Sequence, residues 1–361
     1  MADRRPNRQA ALREALSAGG LDAILVQHLP NIRYLTGFTG SAGLLLLTPD
    51  ATVLYTDFRY AVQAPPEVGD SARVEIDRTS VWERVKRALA ADPVERLAVE
   101  SHVVTSQDLE RLAEAHIRIV PVAELVERFR ASKSPEEVAA IRSAGALAES
   151  ALAATLPLIH PGQTEFEVAA ELETALRRRG SEWHPFPTIV ASGPRSALPH
   201  ARTSGRRIEQ GDWLLLDFGA QVDGYCADLS RTFVVGARPD DRQQMIYDIV
   251  RTAQRRAMDL VRAGMSGKEA DALARDTIAG HGFGDAFGHS LGHGLGLEVH
   301  EAPRLAATAD TPLPLHAVVT VEPGAYFPGW GGVRLEDDVY LGPDGPEPLT
   351  GGPGPLTVLG A

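Results

Sequence analysis

Between Asp212 and Thr232 the hydrophobic pattern consists of two apolar, β-branched or aromatic runs on either side of Asp223-Gly224. Such a pattern predicts a β-hairpin closed by a tight primed turn. With Asp223 and Gly224 as the loop residues, Val222 pairs with Tyr225, Gly219 with Asp228, and Asp217 with Ser230. Strand alternation then puts Asp217 and Asp228 on one face as diagonal neighbours, their Cβ atoms roughly 7–8 Å apart or less. Gly219 leaves space beside them. Carboxylates so placed can reach one point or hold two metal ions about 3.5–4 Å apart. Without a cation between them they would repel, and one would stay protonated. Taken alone, the pair also fits two solvated turn residues; the apolar run Leu214–Leu216 argues for burial.

Before the hairpin, residues 7–18 predict a surface helix ending at Gly19-Gly20, then strands over Leu21–Gln27, Gly43–Thr48 and Thr52–Thr56. Helical patterns at Val81–Ala91 and Ser106–Ala115 flank a short strand at Leu97–Glu100, so this part reads as an α/β domain with a partly parallel sheet. The stretch Asn31–Ser41 reads as a glycine-rich loop or short helix without the lysine of a phosphate-binding loop. The pattern changes near residue 131. Ser134-Pro135-Glu136-Glu137 is a capping box that starts a long Ala-rich helix, and Thr164-x-x-Glu167 starts a second, stopping at Gly180. The same order recurs: a long helix over 240–263, then Ser266-x-x-Glu269 and a helix ending near Gly280. Each pair precedes a group of strands, which predicts two related halves. The expected domains are 1–131 and 132–361.

Length and charge narrow the function. A chain of 361 residues suits two or three domains, with hydrophobic and charged contents of 44% and 23% typical of globular proteins. The net charge of −12 argues against a nucleic-acid or anionic-membrane partner. No apolar run approaches membrane-span length, and no apolar segment follows Met1-Ala-Asp-Arg-Arg, so no signal peptide is expected. Cys226 is the only cysteine, which excludes an intrachain disulfide and fits a cytoplasmic setting. Its sequence surroundings make it a small core residue rather than a nucleophile.

The chemistry lies downstream. Phe287–Glu301 carries His289, His293 and His300 among four glycines, a density more suited to a metal or substrate site than to core packing. Ala317–Val321 is an apolar strand ending in Glu322-Pro323-Gly324. Residues 332–340 read as one strand with Arg334, Glu336 and Asp338 on one face. Asp217, Asp228, His293, Glu322 and Glu336 together offer four carboxylates and one imidazole, and a formal charge of about −4 matches two divalent cations. Oxygen-dominated ligation favours Mn²⁺, Co²⁺, Fe²⁺ or Zn²⁺.

In order and spacing these five residues resemble the dinuclear-metal set of the pita-bread metallopeptidases, which include methionine aminopeptidase, aminopeptidase P and prolidase. Pro199-His200, Gly292-His293-Gly-x-Gly-Leu-x-x-His300-Glu301, Glu322-Pro323-Gly324 and Val333-Arg334-x-Glu336-Asp337 extend the match. Tyr34-Leu-Thr-Gly-Phe-Thr-Gly and Tyr55-Thr-Asp-Phe-Arg-Tyr60 resemble the N-terminal domain of the proline-specific branch. The resemblance implies an α/β creatinase-like N-terminal domain and an α+β pita-bread catalytic domain with internal pseudo-duplication. It implies two divalent ions, Mn²⁺ first, and peptide substrates with proline at the second position. It also implies a homodimer. Glu322 is expected to be both ligand and general base, and His300 to donate to the scissile carbonyl. His200 and His289 would shape the pocket. Arg334 would orient the site, bind substrate or pair with a buried acid. Tyr225 and Arg304 are candidates for substrate binding.

Two substrate ranges stay open. Arg304 could bind the carboxylate of a dipeptide, as a prolidase requires, whereas nothing in the sequence visibly closes the pocket beyond proline. The balance tips towards an aminopeptidase P that also accepts longer chains. A non-catalytic binding protein on the same fold is the remote alternative.

Overall fold

The computed structural model describes residues 3–91, 93–115 and 117–360; the Met1-Ala2 start of the N-terminal reading lies outside them. The chain divides into two compact units, Met1–Arg130 and Ala131–Ala361.

The first unit is built on a six-stranded sheet, in spatial order Arg73–Asp77, Thr52–Asp57, Leu44–Leu47, Ala23–Val26, Arg96–Glu100 and Arg118–Val122. The two inner pairings of Leu44–Leu47 are antiparallel and the other three pairings are parallel. The central strands are apolar and buried, as their patterns predict. The two edge strands were not legible. Arg73–Asp77 alternates with three charges, and Arg118–Val122 carries Pro121, a residue tolerated only where no ladder hydrogen bond is needed. Asn31–Ser41 resolves into a helix, Leu29–Thr36, stopped by Gly37 at φ 81°.

The second unit repeats one arrangement twice. Helices Pro135–Thr155 and Glu165–Arg178 begin at the expected capping boxes and cover a four-stranded sheet. Ala144, Ala148, Leu152, Val168, Leu172 and Leu176 pack there against Leu214, Leu216, Phe218, Ala227 and Leu229. Helices Asp241–Leu260 and Gly267–Gly280, capped by Asp240 with Gln243 and Ser266 with Glu269, cover a five-stranded sheet. Ile249, Ala253, Ala257, Ala270, Ala274 and Ile278 meet Val319, Val321, Val339 and Leu341.

The hairpin forms in the expected register. Trp213–Val222 pairs with Tyr225–Val235 through Asp217–Ser230, Gly219–Asp228 and Val222–Tyr225. Asp223 and Gly224 both have positive φ, 49° and 75°, as a type I′ turn requires. Because Leu214, Leu216, Phe218 and Ala220 face the helices, Asp217 must face away from them. The space at Gly219 is not open, however. A Cβ there would stand 2.6 Å from Pro185 Cγ and 3.1 Å from Phe186 Cε1, and would collide with the Ala227 carbonyl oxygen.

The expected strand over 332–340 is in fact two. Gly331–Arg334 pairs with Gly324–Phe327, while Asp337–Gly342 pairs with Val318–Val321 in a different sheet. Glu336 sits at the break, held by an isolated bridge to Ser230. Period-two alternation continues through such a corner, so it could not reveal the change of partner.

Gly219→Ala should destabilise the protein by about 1–3 kcal/mol, because its backbone neighbour cannot rotate away. Gly280, where a Cβ would meet nothing within 4 Å, is the control; Ala there, at a helix end, should be neutral or stabilising. Denaturant unfolding of both variants checks the contrast, and equal effects would contradict it.

Candidate metal centre

All five sequence-expected ligands lie in the second unit, and the corner between its sheets gathers them. One ligand atom each from Asp228, His293 and Glu336 lies within 4.8 Å of the others. His293 Nε2 is 3.5 Å from Glu322 Oε1 and 3.9 Å from Asp228 Oδ2. Asp217 reaches the same group from the neighbouring hairpin strand, and its charge raises the pKa of Asp228, Glu322 and Glu336.

Backbone geometry and neighbouring side chains position these groups. His293 Nδ1 stands 3.1 Å from the Gly294 carbonyl oxygen, so a proton on Nδ1 leaves the Nε2 lone pair for the carboxylate side. Gly292 and Gly294 carry no side chain because Thr320 and Ala302 backbone atoms press against them. Ser230 Oγ donates to Glu336 Oε2 at 2.7 Å, and Thr320 Oγ1 donates to Glu322 Oε1 at 3.4 Å. Asp338 accepts the Asp228 backbone N–H at 3.2 Å.

Burial dominates the electrostatics. Desolvation pushes the carboxyl groups of Asp228 and Glu322 well above their ordinary values, with Glu336 adding to both. Glu336 itself is pushed up to about 8 by burial and then by Asp217. Asp217 is raised less, since Arg334 counters its burial. His293 is brought down to about 4 by burial, with the His300 and Arg304 charges adding. Neutral imidazole is the form that ligates a metal. The buried Oδ1 atoms of Asp217 and Asp228 have no hydrogen-bond partner among the described residues. Four mutually repelling carboxylates, offset by one arginine, with orphaned oxygens and a neutral imidazole, fit divalent cations.

The remaining site candidates divide. Arg334 is almost fully buried and its donors are engaged: Nε to Ser230 Oγ, Nη1 to Tyr326 Oη and the Pro199 carbonyl, Nη2 to Asp217 Oδ2 at 2.5 Å. Its geometry pairs it with the buried acid Asp217, one of the five candidate ligands, and so also orients the site. His289 uses both nitrogens, Nδ1 at 2.8 Å from the Ser290 carbonyl and Nε2 at 2.9 Å from Tyr326 Oη. Tyr326 thus links Arg334 to His289. No sequence signal singled it out, because its partner is set by the pairing of Gly324 with Arg334. The Tyr225 hydroxyl donates to Glu137 Oε1 at 2.6 Å and its ring packs near Val138 and Leu295, which ties the hairpin to a helix cap and gives Tyr225 a structural role. His200 and His300 are exposed, and His300 packs edge-on against His293 with ring centroids 4.4 Å apart. Arg304 is exposed opposite His293 in the pairing of Gly292–Gly294 with Glu301–Leu305.

Residues 139–343 match metallopeptidase family M24, and residues 8–132 match the creatinase/prolidase N-terminal domain. The chain belongs to metallopeptidase family M24. An Xaa-Pro dipeptidase from Bacillus anthracis superposes with a TM-score of 0.95 at 40% identity, covering 98% of this chain and all of the other. An X-Pro aminopeptidase from Thermotoga maritima MSB8 gives 0.90 at 37% identity, with 97% and 99% covered. The Xaa-Pro dipeptidase of Pyrococcus horikoshii is 36% identical over 340 residues, 93% of this chain and 95% of its own. The fold is therefore a creatinase-type α/β domain followed by a pita-bread catalytic domain, and M24 membership implies a dinuclear metal centre. No helix among the described residues is long and apolar enough to cross a membrane.

Raised carboxyl pKa values mean that the folded, metal-free M24 protein binds more protons than the unfolded chain. The difference runs from the ordinary carboxylate range up to about 8, the value for Glu336. Stability of the metal-free protein should therefore fall as pH rises across that window. Divalent cations should abolish the decline. Thermal unfolding at pH 5 to 8 with chelator and with Mn²⁺ tests this, and parallel curves would contradict the electrostatic account.

Proposed function

We propose that this M24 metallopeptidase hydrolyses the bond between an N-terminal residue and proline, and that Xaa-Pro dipeptides are its main substrates. The observation that carries the dipeptide reading is Arg304. Strand pairing puts it on the same face as His293. Its guanidinium is near enough to help depress the pKa of both His293 and His300. It makes no hydrogen bond or ion pair among the described residues. An unpaired cation beside the scissile site suits the carboxylate that follows proline in a dipeptide. The names of the Bacillus anthracis and Pyrococcus horikoshii relatives lean the same way, against the longer-chain preference that sequence alone favoured. The Thermotoga maritima relative keeps the aminopeptidase as second reading.

Asp217, Asp228, His293, Glu322 and Glu336 would hold two divalent ions, Mn²⁺ first. Such ions supply Lewis acidity that makes water nucleophilic near neutral pH. Glu322, buried and of raised pKa, would take the proton from the attacking water and deliver it to the proline nitrogen. His300, exposed at its edge but with its ring partly desolvated against His293 and near the His200 and Arg304 charges, is held below its ordinary pKa and would donate its N–H to the scissile carbonyl oxygen as charge develops. Arg334 and Tyr326 would fix Asp217 and His289 in place.

His300→Ala should lower kcat by roughly 10²–10³ with metal content unchanged; loss of metal would reassign the histidine as a ligand. Arg304→Ala should lower kcat/KM for Ala-Pro by about 10–100-fold while sparing Ala-Pro-amide. The wild type should cleave Ala-Pro far better than Ala-Pro-Ala. Efficient cleavage of the tripeptide would reject the dipeptidase in favour of the aminopeptidase.

A further inference from the structure

The first unit carries a separate group of metal-competent side chains that the peptidase chemistry does not use. His28 lies in extended backbone before helix Leu29–Thr36, His102 in the turn after strand Arg96–Glu100, and Glu127 opens the short helix Glu127–Arg130. These three segments have no local sequence relation, yet one ligand atom from each lies within 4.8 Å of the other two. Glu127 Oε1 is 3.1 Å from His102 Nε2 and 3.7 Å from His28 Nδ1. Two ligands bound to one tetrahedral ion at Zn–N and Zn–O distances stand about 3.3–3.5 Å apart. The observed spacings bracket that value.

The surroundings aim the carboxylate as an outer shell of a metal site does. Asn31 Nδ2 donates to Glu127 Oε1 and to Glu100 Oε1, each at 2.6 Å. The Asn31 side-chain oxygen Oδ1 accepts from Arg130 Nη1 at 2.7 Å. Glu100 in turn accepts the backbone N–H groups of Gln27 and His28 at 2.7 and 2.8 Å, fixing the chain that presents the His28 ring. The other Glu127 oxygen, Oε2, is buried and accepts no hydrogen bond among the described residues. His102 is 40% exposed, which gives an ion an entry path and leaves room for water to complete its coordination.

We propose that His28, His102 and Glu127 form a mononuclear site for a borderline divalent transition ion of the Zn²⁺ type. Two imidazoles and one carboxylate select such an ion over the hard, oxygen-seeking Mg²⁺ and Ca²⁺. A bound ion would staple a strand end, a turn and a helix start of the N-terminal unit, and would stabilise it by mass action.

The test is equilibrium dialysis of the full chain against buffered Zn²⁺, with bound zinc counted by elemental mass spectrometry. The wild type should bind one zinc per chain more than His102→Ala, and His28→Ala should show the same deficit. Zn²⁺ should also raise the melting temperature of the wild type more than that of either variant. Because His102 is exposed, His102→Ala should keep the native circular dichroism and the peptidase activity of the Mn²⁺-loaded enzyme. Should His28→Ala fail to fold, His102→Ala decides alone. Equal zinc content in wild type and His102→Ala would overturn the proposal and leave the cluster as a side-chain contact only.

Discussion

Crowding four carboxylates into one buried place is the constraint on which the second unit depends. Each desolvated carboxylate costs several kcal/mol, and like charges add to that. The fold meets part of the cost with fixed partners and leaves Oδ1 of Asp217 and of Asp228 unpaired among the described residues. Asp217 is held by Arg334, Glu336 by Ser230, and Glu322 by Thr320. Around them a further layer holds the backbone. Arg231 donates to the carbonyl oxygens of Ser230 and Glu336, and its other nitrogen pairs with buried Asp337 at 2.7 Å. Asp337 also accepts from Gln254, Thr350 and the Gly352 N–H, so one aspartate ties a helix and the C-terminal loop to the corner that presents Glu336.

The apolar pattern is what allows this polar cluster to exist. Each sheet gives one face to its own helix pair, and the candidate ligands project from the opposite faces, beside apolar neighbours such as Trp213 and Leu215. Leu216 and Phe218 point to the helices, which leaves Asp217 and Gly219 on the other side. Likewise Val319 and Val321 pack on the second helix pair, leaving Thr320 to touch Glu322 and His293. The break between Arg334 and Asp337 lets one short stretch serve both sheets, so Arg334 can reach Asp217 while Glu336 bridges to Ser230.

Much of this was legible locally. The Asp223-Gly224 turn determines the hairpin register, and with it the diagonal placement of Asp217 and Asp228, because loop length and strand period leave no other pairing. Capping boxes at Ser134, Thr164 and Ser266 mark real helix starts, since cap and helix are contiguous in sequence. Features that depend on distant partners were not legible. Tyr326 meets His289 and Arg334 only through tertiary structure, and Pro185 and Phe186 occupy the space expected to be open at Gly219. Tyr225 had the position of a site residue but turns its hydroxyl to Glu137. Edge strands such as Arg73–Asp77 show no apolar run because one side faces solvent.

The buried carboxylates and His293 form a cradle that fits cations. Anomalous X-ray scattering at the manganese edge from crystals of the Mn²⁺-loaded protein tests it directly. Two peaks about 3.5–4 Å apart are predicted, bounded by Asp217, Asp228, His293, Glu322 and Glu336, with Arg334 still paired to Asp217. A site without anomalous density, or ions bound away from these five residues, would contradict it.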